Sequence, residues 1–472
     1  MKRLISLAAV AAAQCTWGAV SEYVRTEIPN YNGHEGCTLV TYVKPPTAEK
    51  TGRAWIMKFD MTKGYRLRAY YGNGQGGRAS IGTMGENLVA EGERPICGTN
   101  ADYFYTASNM AYSTGMTIMN SRMVYPGFNN ANPATHYFFM ETGDRRYAHG
   151  KPVRTDGKTS GFVAHGYDLV TADGRKIRNA VRTNWCNYPV KEGQINPVNT
   201  AYDTVGKVEG TIGNYQSRTQ YPRVMIGYGT NEVDGAQHEI VAMFVNDGRQ
   251  ADWSYGVTDV DAAQMMIDEG CWEVGEFDGG GSAAFWAASG PDSVYPRDTT
   301  ANGGYLNLPS DGYPRKDANG IFMLAPTDAP ATVTIGANWY YDLDEALWAV
   351  APGETISVTN ATTLAGTNEF FTSCTIASTA EMPSATPIAC PAGTSLAVAA
   401  GARVWASKPC VVFANERFLA VHTKEGGEIK VSLPRKYAKI TDLLEDKVVA
   451  ENADSFTYVF SVPDTRLFDL AE

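Results

Sequence analysis

The sequence lacks the spacings that hold metals. None of its cysteines stand as CxxC, and its six histidines form no HExxH or similar pair. A zinc site is therefore disfavoured. No GxxxxGK[ST] loop is present, so a phosphate-cradling nucleotide site has no support. GxSxG is also missing, and the Ser-Thr-Gly at 113–115 is consequently not a lipase elbow. No Lys/Arg run stands out and the net charge is −11. Nucleic-acid backbones demand a concentrated basic surface, so no nucleic-acid partner is expected. Apart from the N-terminus, no stretch is apolar enough to span a bilayer. Nothing calls for a cofactor, and oligomeric state is not legible.

What is present is ordinary globular material: 44% hydrophobic and 19% charged residues. At roughly 150 residues per domain, the length suggests about three units. The 26 tyrosines and 9 tryptophans suit carbohydrate stacking and β-rich cores equally. The N-terminus, MKRLISLAAVAAAQCTWGAVSE, has a basic start, an apolar run from Leu4 to Ala13 and small residues near Gly18 and Ala19. It reads as a secretory signal peptide over 1–19, too short to span a membrane. The expected location is secreted or periplasmic; a lipoprotein anchored at Cys15 is less favoured, because Gln14 is a poor residue before it. Export implies an oxidising compartment. Seven cysteines remain after residue 19, and Cys374, Cys390 and Cys410 are near enough in sequence for one local bridge.

Texture divides the chain. Residues 20–326 mix strand-like and helix-like patterns. After the Pro/Ala/Asp cluster of APTDAPATVTIG (325–336), alternating Val, Thr, Ile and Phe runs give 327–472 an all-β reading, with a possible seam near 405 and a hairpin at Gly426-Gly427 followed by short strands. One helix is well signalled in GVTDVDAAQMMIDEGCW. Thr258 is its N-cap, Asp261 follows three residues on, and Gly270 sits just past its end. Strand-like EIVAMFVNDGR precedes it and WEVGEF follows, a β-α-β order. The fold class expected is therefore α/β (mixed α+β) with β-α-β units, followed by a β-rich, sandwich-like C-terminal region. With parallel strands, Asp247, Arg249 and Asp278 would share one rim. An earlier segment, SIGTMGENLVAEGERPICGTNADYF, repeats the order cap, helix, Glu-Gly, strand at an offset of 178 residues, placing Asn100 on Asp278.

The densest signal is EFDGGGSAAFW, residues 276–286. Three glycines weaken a backbone, so a fold retains them for a conformational or steric reason. Either they let a ligand approach the backbone beside Asp278, or they make a tight turn capped by Asp278. On a strand Glu276 and Asp278 would face the same side, about 6–7 Å apart. Paired carboxylates can hold different protonation states, the arrangement glycosidic cleavage requires. If the strand ends earlier, Glu276 faces solvent. Arg223 and Arg249, at a strand start and a strand end, are candidates for binding phosphate or carboxylate, or are solvated surface groups.

The ordered set TNADYF (99–104), STGMTIMN (113–120), PRVMIGYG (222–229), VNDGR (245–249), the 256–270 helix, FDGGGS (277–282) and YLNLPSDGYPRKDANGIFML (305–324) resembles the phosphodiester glycosidase family over roughly 300 residues. Family members usually have Gly where this chain has Asp102, and often a neutral residue where it has Glu276. The tail from about 410 is similar to the small β-sandwich that ends many glycoside hydrolases. The resemblance implies a glycosidase that hydrolyses the sugar C1–O bond of a sugar-1-phosphodiester such as an N-acetylglucosamine-1-phosphodiester. It implies Asp278 as nucleophile or base, with Asp102 and Glu276 as further acids. Arg223 and Arg249 would hold the phosphate. Asn100, Asp247, Gly279, Gly280, Gly281 and Ser282 would line the substrate site. Two other readings stay open: a metal-dependent phosphodiesterase using Asp102, Asp247 and Asp278, and a non-catalytic glycan-binding protein.

Overall fold

The computed structural model describes residues 20–471 except 46–50, 75, 128–135, 145, 159–167, 184–187, 202–210, 234–235, 290–298, 327–332, 341–342, 359–367, 370–373, 379–387, 390–395, 400–410 and 415–416. The expected signal peptide, the seam near 405, and Cys390 and Cys410 lie outside the described residues. Two compact units are distinguished: residues 1–115, 136–139 and 181–326, and residues 116–135, 140–180 and 327–472.

The first unit begins with strands β1 (Val24–Pro29), β2 (Cys37–Lys44), β3 (Gly52–Asp60) and β4 (Arg66–Tyr71), helix α1 (Ile81–Ala90) and strand β5 (Pro95–Asn100). Later come the short helix α2 (Asn214–Arg218), strands β6 (Arg223–Val233) and β7 (Ala236–Asp247), helix α3 (Asp259–Asp268), and strands β8 (Glu273–Glu276), β9 (Phe285–Ala288), β10 (Gly303–Tyr305) and β11 (Asn319–Leu324). One sheet runs β1-β2-β3-β7-β6-β8 and ends in two short strands, Val190–Lys191 and Gln194–Ile195. Another runs Thr299–Thr300, then β10-β9-β5-β11-β4. Neighbouring strands in both pair antiparallel.

The expected α/β fold of β-α-β units is thus corrected: the chain is mostly sheet. The cause is visible in β7. Its residues are buried from Ile240 to Asp247. Ala242 and Phe244 join a core with Ala262, Met265 and Met266 of α3. Met243, on the opposite face, meets Cys97 of β5 at 3.8 Å. The two sheets therefore stack face to face. A strand covered on both faces reads as an unbroken apolar run, as a parallel α/β strand also does. Each such side chain buried contributes roughly 1.5–3 kcal/mol of transfer free energy.

Helices α1 and α3 match their sequence signals. Thr258 accepts from the Asp261 amide and Ser80 from the Thr83 amide. Gly92 and Gly270 then turn the chain at φ 86° and 95°, left-handed geometry that favours glycine. Gly85 lets α1 lie directly on Trp286, since a Cβ there would stand 2.8 Å from the indole.

In the second unit the all-β expectation meets a helix, α4 (Leu343–Ala349), whose Leu343, Ala346 and Leu347 are buried at helical spacing. Thr355–Val358 pairs with Cys374–Ser378 in parallel. The C-terminal residues form a five-stranded antiparallel sheet, with long strands Gly427–Asp442 and Lys447–Phe460 in place of the short ones expected. The expected hairpin at Gly426-Gly427 is not one: Phe418–Thr423 and Gly427–Asp442 lie on either side of Asp464–Ala471. Among the described residues, no helix is long and apolar enough to cross a membrane.

Candidate active site

Strands β7 and β8 both run antiparallel to β6, which lies between them. Their C-terminal ends therefore share one rim with the start of β6, where Arg223 pairs across from Asn246 and Met225 from Glu276. The rim expected from a parallel sheet exists for a different reason: an antiparallel strand is inserted. Strand β8 stops at Glu276 and the chain continues into the second sheet's territory. The Phe277 amide donates to Val224 O (2.8 Å) and the Asp278 amide to Ala101 O (2.8 Å). Asn100 Nδ2 donates to Asp278 O (2.7 Å), while its Oδ1 accepts from the Ala284 amide (3.1 Å). Asn100 is thus buried as the holder of the Asp278 main chain.

A pocket of about 480 Å³ opens here, lined by Tyr103, Tyr215, Thr219, Gln220, Tyr221, Arg249, Glu276, Asp278, Gly279, Gly280, Gly281 and Arg315. Asp278 is half-buried. Desolvation pushes its carboxyl up to about 7; the Ser282 hydroxyl opposes this, Asp102 reinforces it, and Arg315 and the Gly279 amide oppose it.

The glycine triplet has a steric explanation. A Cβ on Gly281 would stand 2.2 Å from Nη2 of Arg315, and one on Gly280, at φ 63°, would stand 3.1 Å from Nη1 of Arg249. A Cβ on Gly279 would stand 2.5 Å from Pro222 O. Two guanidinium groups therefore rest on bare backbone beside Asp278. The Gly280 amide is engaged, donating to Pro222 O at 2.9 Å. Arg249 is exposed and, unusually for a non-glycine residue, left-handed at φ 61°. Strained backbone of this kind collects at functional sites.

The other residues expected at the site are distributed differently. Arg223 is fully buried. Its guanidinium pairs with Asp259 and with Glu276 (3.0 Å) and donates to Val257 O (2.8 Å) and Thr219 O (2.9 Å). It holds Glu276 in place and does not line the pocket. Asp247 is buried and clips a loop, accepting from Trp253 Nε1, Asn307 Nδ2 (3.1 Å) and the Leu308 amide (2.9 Å). Asp102 is buried behind the pocket wall, accepting from Thr114 Oγ1 (2.8 Å) and the Gly115 amide, with Arg182 at 3.8 Å. Burial raises its carboxyl to about 6, against the Arg182 charge and these donors. Ser282 is fully buried beneath the glycine turn.

Sequence reasoning passed over Arg315 and Asp317. Both lie in the YPRKDANG stretch, whose Pro and Gly mark a loop but give no hint that it packs against residues 279–282. Among the described residues, no group of three or more His, Cys, Asp or Glu is arranged to hold a metal ion.

Residues 93–324 match the family model described as phosphodiester glycosidase. Among solved structures, the catalytic domain of zebrafish N-acetylglucosamine-1-phosphodiester alpha-N-acetylglucosaminidase, auto-inhibited by its pro-peptide, is 15% identical, covering 65% of this chain and 88% of that one at a TM-score of 0.38. A hypothetical protein from Synechocystis is 10% identical, covering 61% and 62%, at 0.38. Similarities at this level carry no functional argument. No curated protein matches.

Proposed function

Since residues 93–324 belong to the phosphodiester glycosidase family, we propose that this protein hydrolyses the sugar C1–O bond of a sugar-1-phosphodiester, with N-acetylglucosamine-1-phosphodiester as the first substrate to try, and that it acts after export. The observation that carries the reading is the pair of guanidinium groups, Arg249 and Arg315, seated on Gly280 and Gly281 beside a desolvated carboxyl. A phosphodiester brings one negative charge and a leaving group that departs without strong acid help. Two planar cations match it.

Asp278 acts as the base that activates water, or as nucleophile. A base is most useful when its pKa lies near the working pH. Glu276, fixed by Arg223, places negative charge at the pocket wall, where the oxocarbenium-like carbon develops positive charge. Asp102 acts on Asp278 through its field, and Asn100 holds the Asp278 main chain. Tyr103 and Tyr215 offer ring faces to the sugar or its aglycone. Because Asp278 works as the carboxylate, kcat/KM should rise with pH through about 7. An acidic optimum would refute that role.

The test is hydrolysis of N-acetylglucosamine 1-phosphate methyl diester in ¹⁸O-labelled water, with and without chelator. Label on the sugar supports C–O cleavage. Label on phosphate that disappears with chelator supports a metal phosphodiesterase instead. Saturable glycan binding without turnover across a panel of sugar phosphodiesters supports a binding protein.

A further inference from the structure

Behind the pocket floor lies a carboxyl that the reaction scheme above does not use. Asp317 is fully buried just ahead of β11, and its main chain is clamped to the segment before α1: Ala79 donates to Asp317 O (3.1 Å) and Asp317 donates to Ala79 O (2.8 Å). Neither of its carboxyl oxygens meets a hydrogen-bond partner. The fully buried Ser282 hydroxyl is in the same condition. Buried carboxylates kept for structure are met by donors or cations, because an unmatched charge at this depth is costly.

Two arginines are near, yet neither hydrogen-bonds the Asp317 carboxyl. Arg315 donates through Nε to Asp311 (2.6 Å) and lies over Gly281; Arg78 donates to Lys316 O (3.4 Å) and lies over the Phe104 ring. The Ser282 hydroxyl lies near both carboxyls, where it favours the charged form of each, but it closes no well-aligned hydrogen bond to either.

We propose that Asp317 is a positioning residue for Asp278: a buried carboxylic acid that stays uncharged while Asp278 is ionised, donates to Ser282, and so aims the Ser282 hydroxyl at the Asp278 carboxylate. The inference rests on the reading of Asp278 as the working carboxylate. A neutral acid needs no counter-ion, which accounts for a site that has none in hydrogen-bond contact. Burial first and the Asp278 charge second hold the Asp317 carboxyl well above the ordinary range, against Ser282, Arg315 and Arg78. The charged and titratable groups facing the pair are Arg78, Arg315, Asp102 and Tyr103, whose phenol is raised by burial and then by Asp278 and Glu276. No proton is transferred to Asp317 in this scheme; it supplies one end of a hydrogen-bonded chain.

Two measurements test it. In the first, carboxyl ¹³C signals of labelled aspartates are followed by NMR from pH 5 to 9 in the full chain and in D317N and D278N. Asp317 should be protonated at pH 7, and its titration should move to lower pH in D278N, where the neighbouring charge is gone. An ionised Asp317 at pH 7 overturns the proposal. So does displacement of its proton by added Ca²⁺ or Mg²⁺, which would make this a cation site. In the second, kcat/KM is measured against pH with the methyl diester. Ionisation of Asp317 should make kcat/KM of the parent chain fall at alkaline pH; D317N, an isostere of the neutral acid, should keep the rate at pH 7 within about 3-fold and abolish that fall. D317A and S282A should each lose about 10- to 100-fold, with the double variant no worse than either. A D317N profile with the alkaline fall intact overturns the role. If no phosphodiester is turned over, the functional reading fails while the NMR result still decides the state of Asp317.

Discussion

The segments 80–100 and 258–278 are built to one plan and used for different ends. Each has a hydroxyl cap, a ten-residue helix, a Glu that closes it, a left-handed Gly and a strand. In each, the closing Glu is bound by a tyrosine hydroxyl from a strand: Glu91 by Tyr70 (2.6 Å) and Glu269 by Tyr42 (2.7 Å). The plans part at the last residue. Asn100 spends its amide on Asp278 O and the Ala284 amide, whereas Asp278 turns its carboxyl into the pocket. The end of the first element is the bracket on which the end of the second is mounted. A repeated element need not repeat a role: position at the rim is shared, and a single polar group decides which end presents a carboxyl to the pocket.

Exchanging those end groups should produce the largest effect. Asp278→Asn is expected to lower turnover by about 10³-fold or more. The same change should raise stability at pH 8. The folded-state pKa of Asp278 lies above its unfolded value, so the native state holds the extra proton between about 4 and 7 and loses stability as pH rises through that window. Removing the group should recover roughly 1–2 kcal/mol after screening, measured as a higher Tm. The converse, Asn100→Asp, should give no new activity and cost about 2–4 kcal/mol in denaturant unfolding, because it buries a carboxylate beside a carbonyl oxygen.

Next in size are the glycines. Gly281→Ala should evict Arg315 and raise KM about 10-fold with smaller change in kcat, since a charge clamp binds ground and transition state alike. Gly92→Ala, at a left-handed turn with open space around it, should cost about 1 kcal/mol of stability and no activity. The closing glutamates should also separate. Glu269 is buried against Arg25, Lys58 and Tyr42, so Glu269→Gln should cost about 3 kcal/mol. Glu91, 44% exposed beside Arg68, should lose under about 1 kcal/mol as Gln. Smallest and most alike are the caps: Ser80→Ala and Thr258→Ala should each cost about 1 kcal/mol by thermal melting. Unequal costs there would show that the two elements are less equivalent than their geometry.

That ranking also separates what the sequence makes legible from what it conceals. Helix caps, the Gly turns and the offset of 178 are local, and a chain states them in order. The insertion of β6 between β7 and β8 is not local, and apolar runs buried on both faces look the same whichever way their neighbours point. Arg223 reads as a ligand group because it stands at a strand start; only the fold reveals Asp259 and Glu276 closing over it. Asp317 carries no mark at all in a loop, since its significance is the lack of a partner at depth. The glycine run was legible as meaningful, though its cause is a pair of arginines, one of them 34 residues downstream of Gly281.

The main chain around Asp278 is tied to Val224 in one sheet and to Ala101 and Asn100 in the other. The residue is thus a stitch as well as the reagent of the proposed reaction. Any breathing that parts the two layers displaces it before either layer frays. On gradual heating, enzymatic competence should therefore fade ahead of the cooperative melt, and turnover should serve as a gauge of how tightly the seam is closed.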